Sequence, residues 1–178
     1  MTKELIGSWL QAVGTVLAAV AASPTGIFDE NYQHDLNLIG NTLQATGSAL
    51  QATDQTSLSS IGNEVQAIGN STIVYGLIIP TSEKTKTELN IKGNLLQALG
   101  GGIAFADETV ESTINRIGNL LQAIGNSMQA IGNKMEWDQM NHPSNDEDSV
   151  GASLNTIGNW IQAIGAVIIA IDQTNTNW

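Results

Sequence analysis

The side chains that recur at fixed spacing in this chain are carboxamides. Asn119, Gln122, Asn126 and Gln129 follow one another at intervals of three and four, as do Asn63, Gln66 and Asn70. A carboxamide does no proton chemistry near neutral pH; it offers an acceptor oxygen and an NH2 with two donors. The pattern therefore points to recognition or assembly. Groups able to do other chemistry are sparse. His34 and His142 are the only histidines, and there is no cysteine to act as nucleophile or metal ligand. Both histidines fall in expected loops and read as solvated residues. Asp146, Glu147 and Asp148 lack the glycine and terminal glutamate of an EF-hand loop, and read as an acidic helix start. Gly100-Gly101-Gly102 follows no strand and precedes no Gly-Lys-Ser/Thr, so a kink is expected there and not a phosphate cradle. No catalytic constellation, cofactor or metal is expected, and the chain reads as a non-enzyme.

The amides belong to a larger repeat, Gly-Asn-x-Leu-Gln-Ala-Ile-Gly. Copies run from Gly7 to Gly14, Gly40 to Gly47, Gly62 to Gly69, Gly93 to Gly100, Gly118 to Gly125, Gly125 to Gly132 and Gly158 to Gly165. Besides the amides already named, the copies contribute Asn41, Gln44, Asn94, Gln97, Asn159 and Gln162. Around the fifth and sixth copies, aliphatic residues stand at Ile117, Leu121, Ile124, Met128 and Ile131. Alternating steps of four and three make a stripe on a helix and cannot be the alternation of a strand.

With Leu121 at a and Ile124 at d of a heptad, Gly125 takes e, Asn126 f, Gln122 b and Ala123 c. The wheel then carries an aliphatic seam, a glycine flank and a charge-free amide stripe. The seam is expected to pack, while the amide stripe is either a neutral solvent face or a set of groups that hydrogen-bond across to other helices or to other copies, which makes it a candidate assembly face. Glycine inside a helix costs about 1 kcal/mol relative to alanine, so one or more per helix predicts close backbone approach as compensation. Such helices should form only against one another.

Loop signals divide the chain into about six helices. Breaks are expected at Ser23-Pro24-Thr25-Gly26, with a polar connection reaching Asp35, and at Thr53 to Ser57, Pro80 to Glu83, before Asp107-Glu108, and at His142 to Asp148. Short links favour antiparallel neighbours, giving a hairpin stack or closed bundle. The expected fold is all-α: about six close-packed antiparallel helices of glycine-containing heptads, in one domain over residues 1–178.

Only 13% of the 178 residues are charged, with a formal net charge of −11 from 17 acidic and 6 basic side chains. With no basic patch, neither nucleic acid nor an anionic lipid surface is an expected partner. Leu5 to Phe28 is free of charge, yet it carries the first repeat and follows Glu4, so it reads as a structural helix and not as a cleaved signal. That leaves localisation open.

The copies at Gly118 to Asn126 and Gly158 to Gly165 resemble an uncharacterised family of repetitive proteins of Bacillus and relatives. The family carries no established activity, so the resemblance implies a bacterial, Gram-positive origin and little else. The leading functional expectation is a structural protein that assembles with itself, as part of a cell- or spore-surface layer or filament. The alternative is a membrane-active protein whose glycine-faced helices insert and oligomerise: Leu5 to Phe28 and Ser149 to Ile171 are charge-free and nearly long enough to span. Asn155, Asn159 and Gln162 interrupt the second of these, and no basic flank marks an interface.

Overall fold

The computed structural model describes residues 2–24, 26–52, 57–109, 112–142 and 148–176. Six helices account for nearly all of them: α1 Lys3–Ala21, α2 Glu30–Gln51, α3 Leu58–Ile78, α4 Glu83–Phe105, α5 Thr113–Asn141 and α6 Asp148–Thr176. The fold is an all-α bundle. Side-chain oxygens start five of the helices: Thr2 accepts from Leu5 N, Asp29 from Tyr32 N, Ser57 from Ser60 N, Ser82 from Thr85 N and Ser112 from Asn115 N. Each satisfies one of the amide hydrogens that a helix start leaves without an intrahelical partner.

Two boundaries differ from expectation. The second helix begins at Glu30, so His34 lies in a helix and not in a loop, because Asp29 caps as soon as the chain has turned at Gly26, whose φ is 65°. The fifth begins at Thr113 and not at Asp107-Glu108, because Asp107 is engaged elsewhere. Its carboxylate accepts from Ser59 N at 2.7 Å and from Thr109 N and Oγ1 at 3.0 and 2.6 Å. It therefore ties the end of α4 to the start of α3, where a negative charge also meets the helix dipole favourably. Of the predicted break at His142 to Asp148, residues 143–147 lie outside the described residues, as do 53–56 of the second break.

Asp107 carries a pH signature. The hydrogen bond from Thr109 is the largest cause holding its carboxyl below the usual carboxylate range, assisted by Ser59 N and by Arg116, and opposed by burial. A depressed folded pKa means that the contribution is complete above the unfolded value of about 3.9 and is lost as pH falls through the folded value. Asp107→Asn is expected to lower stability by roughly 1–3 kcal/mol at neutral pH. In urea melts, the gap between parent and variant should narrow below about pH 4.

Successive helices are antiparallel, and each packs on the next: α1 on α2, α2 on α3, and so on to α6, which returns to α1. Among the described residues no helix packs backbone to backbone across the middle, so the six form a closed ring. Glycines set the tightest contacts. A Cβ built on Gly7 would lie 2.6 Å from the Gly47 carbonyl oxygen, and one on Gly14 2.5 Å from that of Gly40. The same reciprocal pairing joins Gly62 with Gly100 and Gly69 with Gly93 in the second hairpin, then Gly118 with Gly165, Gly125 with Gly158 and Gly132 with Gly151 in the third. The ring is three hairpins, α1–α2, α3–α4 and α5–α6, closed by one local rule.

The face turned inward is not the expected one. Gln122 is 0% exposed and Ile124, two positions on, is 43% exposed. The same reversal holds on every helix: Ile6, Ile39, Ile68, Leu99, Ile131 and Ile164 are exposed, while Gln11, Gln44, Gln66, Gln97, Gln129 and Gln162 are buried. Expecting the aliphatic seam as the core was wrong. Around a heptad wheel, e, b and f are contiguous, so glycine, glutamine and asparagine form one narrow sector opposite a, d and g. When glycine pairs two helices of a hairpin, that sector is drawn inward with it, and the aliphatic sector must face out.

Candidate functional site

Six glutamines, one from each helix, meet on the axis of the ring: Gln11, Gln44, Gln66, Gln97, Gln122 and Gln162. All are at most 2% exposed, and five of them are among the largest side chains to be wholly buried. Gln11 Nε2 donates to Gln66 Oε1 at 2.8 Å and to Gln122 Oε1 at 2.9 Å. This triad joins α1, α3 and α5, and Gln51 Nε2 donates into it at Gln11 Oε1, at 2.9 Å. Gln162 Nε2 donates to Gln44 Oε1 at 2.9 Å and to Gln97 Oε1 at 3.0 Å, joining α2, α4 and α6, while Gln129 Nε2 donates to Gln162 Oε1 at 2.9 Å. Helices that make no backbone contact are thus linked through side-chain amides across the ring.

Asparagines line the axis beside the glutamines. Asn41, Asn63, Asn70, Asn94, Asn119 and Asn126 are all buried, and Asn159 is half-buried. Several bond within their own helix: Asn41 Nδ2 to Asn37 O at 2.9 Å, Asn70 Nδ2 to Gln66 O at 3.1 Å and Asn159 Nδ2 to Asn155 O at 2.8 Å. Others keep spare capacity, since Gln66 Nε2, Gln122 Nε2, Asn70 Oδ1, Asn94 Oδ1 and Asn126 Nδ2 are buried with no partner. The stripe is therefore an interior: of the alternatives the sequence left open, its glutamines reach across to other helices of the same chain and do not form an exposed face. All thirteen glycines of the repeat are buried as well, on the flank where the helices of each hairpin meet.

Gln11 and Gln51 lie outside the amide stripe expected from the sequence. Gln11 sits at position b of the first copy, equivalent to Gln122, and that equivalence alone was signal enough. Gln51 lies seven residues beyond Gln44, one heptad on, although no full copy of the repeat surrounds it.

Below the second triad the amides do not fill the ring. A cavity of about 590 Å³ extends from Gln44, Gln97 and Gln162 past Asn41, Asn94 and Asn159 toward the exposed carboxylates Glu30, Glu83 and Glu136. His34 also lines it and approaches Leu77 O at 3.3 Å. His142 caps the end of α5 and is exposed.

The seam where α6 returns to α1 is tied at both ends by tryptophan. Trp9 Nε1 donates to Thr174 Oγ1 and Trp160 Nε1 to Ser23 Oγ, each at 3.0 Å. Ala12, Ala166 and Ala170 pack between these points, with Val167 against them. The equivalence of the two tryptophans in the first and last repeats thus corresponds to a reciprocal clasp. The Gly100-Gly101-Gly102 run lies inside α4: Gly100 meets α3, Gly101 meets Asn119 and Ala123 of α5, and Gly102 faces open space.

A family model matches residues 2–170, spanning all three hairpins. The chain belongs to a family of unknown function, DUF6944. The match embraces both glutamine triads and every helix up to Ala170. Neither a curated protein nor a solved structure matches it.

Proposed function

We propose that this DUF6944 protein works within a membrane, as a six-helix bundle whose aliphatic outside faces acyl chains and whose amides are satisfied within. The observation that carries this reading is the reversal itself: each helix exposes an isoleucine or leucine of its seam, as at Ile6, Ile39, Ile68, Leu99, Ile131 and Ile164, and buries a glutamine of its amide stripe. In water such an exterior is an interaction surface, since monomeric soluble proteins rarely expose large contiguous apolar area. In lipid it is the stable arrangement, with polar groups turned into the bundle and small residues at the helix contacts. The helices have 19 to 29 residues, about 28–44 Å of rise, against a hydrocarbon core of about 30 Å. Two helical stretches, Lys3–Ala21 and Val150–Thr176, have mean hydropathies of 1.4 and 1.5 and are long and apolar enough to cross. The other four carry more polar residues, as expected of helices lining a polar interior.

Charged side chains gather toward the ring's ends. In α5 none stands between Arg116 and Lys134, and in α6 none between Asp148 and Asp172. At the cavity end, Glu83 pairs with Lys86 at 2.7 Å and Lys134 with Asp138, while Glu88 pairs with Lys92 at 2.7 Å partway along α4. Flotation through a sucrose gradient with phosphatidylcholine vesicles tests the reading. The protein is expected to rise with the lipid, and Ile68→Asn/Ile124→Asn/Ile164→Asn to stay behind with its helical circular dichroism intact. A parent protein that remains at the bottom, monodisperse without detergent, would sink the proposal.

One observation favours the second reading, in which copies of the chain cover one another's outer faces in a structural assembly. Glu64 is exposed partway along α3, as Lys92 is along α4, amid the outward isoleucines and leucines, where a charge suits a protein neighbour better than acyl chains. In that case detergent-free light scattering should show growth with concentration, and Glu64→Lys should shift it.

A further inference from the structure

We propose that the ring is a pore for water and small neutral polar solutes, held shut in this conformation by its two glutamine triads. This role rests on the membrane reading. A bundle that needed only to sit in lipid would be served by an apolar interior, because polar side chains inside a membrane are costly. Here the polar sector runs the length of the ring: on α2 it passes from Asn37 through Gln44 to Gln51, and on α3 from Asn70 through Gln66 to Ser60. Part of that axis is already open. The cavity of about 590 Å³ reaches from the exposed Glu83 to Gln97. By helical rise that is about 21 Å of the roughly 33 Å from Glu83 to Phe105, so the triads and the groups beyond them close about 12 Å.

The closed stretch is short of hydrogen bonds. Gln66 Nε2 and Gln122 Nε2, in the first triad, have no partner; nor do Asn70 Oδ1 and Asn126 Nδ2, one turn toward the cavity, or Ser48 Oγ and Ser60 Oγ, toward the other end. All six residues are at most 3% exposed, so water does not reach them while the triads are joined. Buried polar groups without partners mark a dry state that entering water would stabilise. Glutamine rotates about its side-chain bonds, and an amide-to-amide bond is exchanged for a water-mediated one at little cost. The triads can therefore part while the glycine contacts of each hairpin stay in place.

What passes must suit the spare groups. Three are NH2 donors, one is an amide acceptor and two are hydroxyls that do both, a set that matches neutral molecules carrying donors and acceptors together. An ion of either sign fares worse. Every triad oxygen already accepts a hydrogen bond, so none is spare to replace the water of a cation. Among the described residues Asp107 is the one buried charge, and Ser59 and Thr109 hold it at the end of the α3–α4 hairpin.

Stopped-flow light scattering of proteoliposomes tests this, with flotation of the same vesicles to establish incorporation. Mixed into hyperosmotic sucrose, they are expected to shrink several-fold faster than protein-free vesicles, and to re-swell faster in urea, with no added release of potassium. Asn126→Leu keeps the shape of the side chain and removes a spare donor from the closed stretch, and it should cut both permeabilities about tenfold. The shorter Asn126→Ser should raise both. Vesicles that carry the protein yet shrink at the protein-free rate would overturn the pore and leave the membrane reading standing, whereas protein that stays at the bottom of the gradient would remove both. Equal rates in parent, Asn126→Leu and Asn126→Ser would place the passage off the axis and overturn the proposal, as would potassium release that rises with water flux.

Discussion

Replacing Gln162 by leucine is expected to destabilise this protein by roughly 3–6 kcal/mol, although the change would look favourable at a buried position by any hydrophobicity scale. Gln162 donates to Gln44 and Gln97 and accepts from Gln129, so its removal leaves three buried amides each short of a partner. A buried polar group stripped of its partner costs about 1–3 kcal/mol, and these three lie in one network. Gln11→Leu should act alike through Gln66, Gln122 and Gln51. Chemical denaturation followed by circular dichroism, with detergent present throughout, measures both. A loss below about 1 kcal/mol would show that the glutamine triads do not hold the ring. The matching control lies outside. Ile124→Asn, at 43% exposure, should change folding stability by no more than about 0.5 kcal/mol.

Glycine replacements should change sign with position. Gly14→Ala places a methyl 2.5 Å from the Gly40 carbonyl oxygen and 2.9 Å from Gln44 N, both backbone atoms of a helix that cannot bend away locally. The hairpin must open, and the expected loss is about 1–3 kcal/mol, net of the roughly 1 kcal/mol that alanine gains in helix propensity. Gly125→Ala, opposite Gly158 and Gln162 N, should behave the same way. Gly102→Ala meets nothing within 4 Å and lies in α4, so it should stabilise by about 0.5–1 kcal/mol. Thermal melts of the three variants give the answer. If Gly14→Ala and Gly102→Ala shifted the midpoint in the same direction, close glycine contact would not be what holds each hairpin together.

Both expectations depend on features with different legibility in the sequence. The octapeptide states its helical period through Ile117, Leu121 and Ile124, and the penalty of repeated glycine predicts close approach, as Gly7 with Gly47 illustrates. Boundaries were readable where a cap stood next to a break, as at Ser82 after Pro80. They failed where a side chain had a distant partner: Asp107 looks like the start of the fifth helix until Ser59, 48 positions away in sequence, is seen to take its carboxylate. The cavity was not legible at all, because Asn90, Asn94 and Glu30 come together only when the ring has closed.

What the sequence determined by itself is the sorting of residues around each helix, because the 3.6-residue turn and the spacing of Gly, Gln and Ile leave no freedom in which side chains share a face. Which face turns inward was decided only by the tertiary structure. A lone amphipathic helix in water would bury its isoleucines. Six such helices, paired through glycine and closed into a ring, bring Gln11, Gln66 and Gln122 within hydrogen-bond reach of one another, and Gln44, Gln97 and Gln162 likewise. An amide is costly to bury alone and stable when its partners converge, and that convergence is a property of the closed ring, which no single repeat contains.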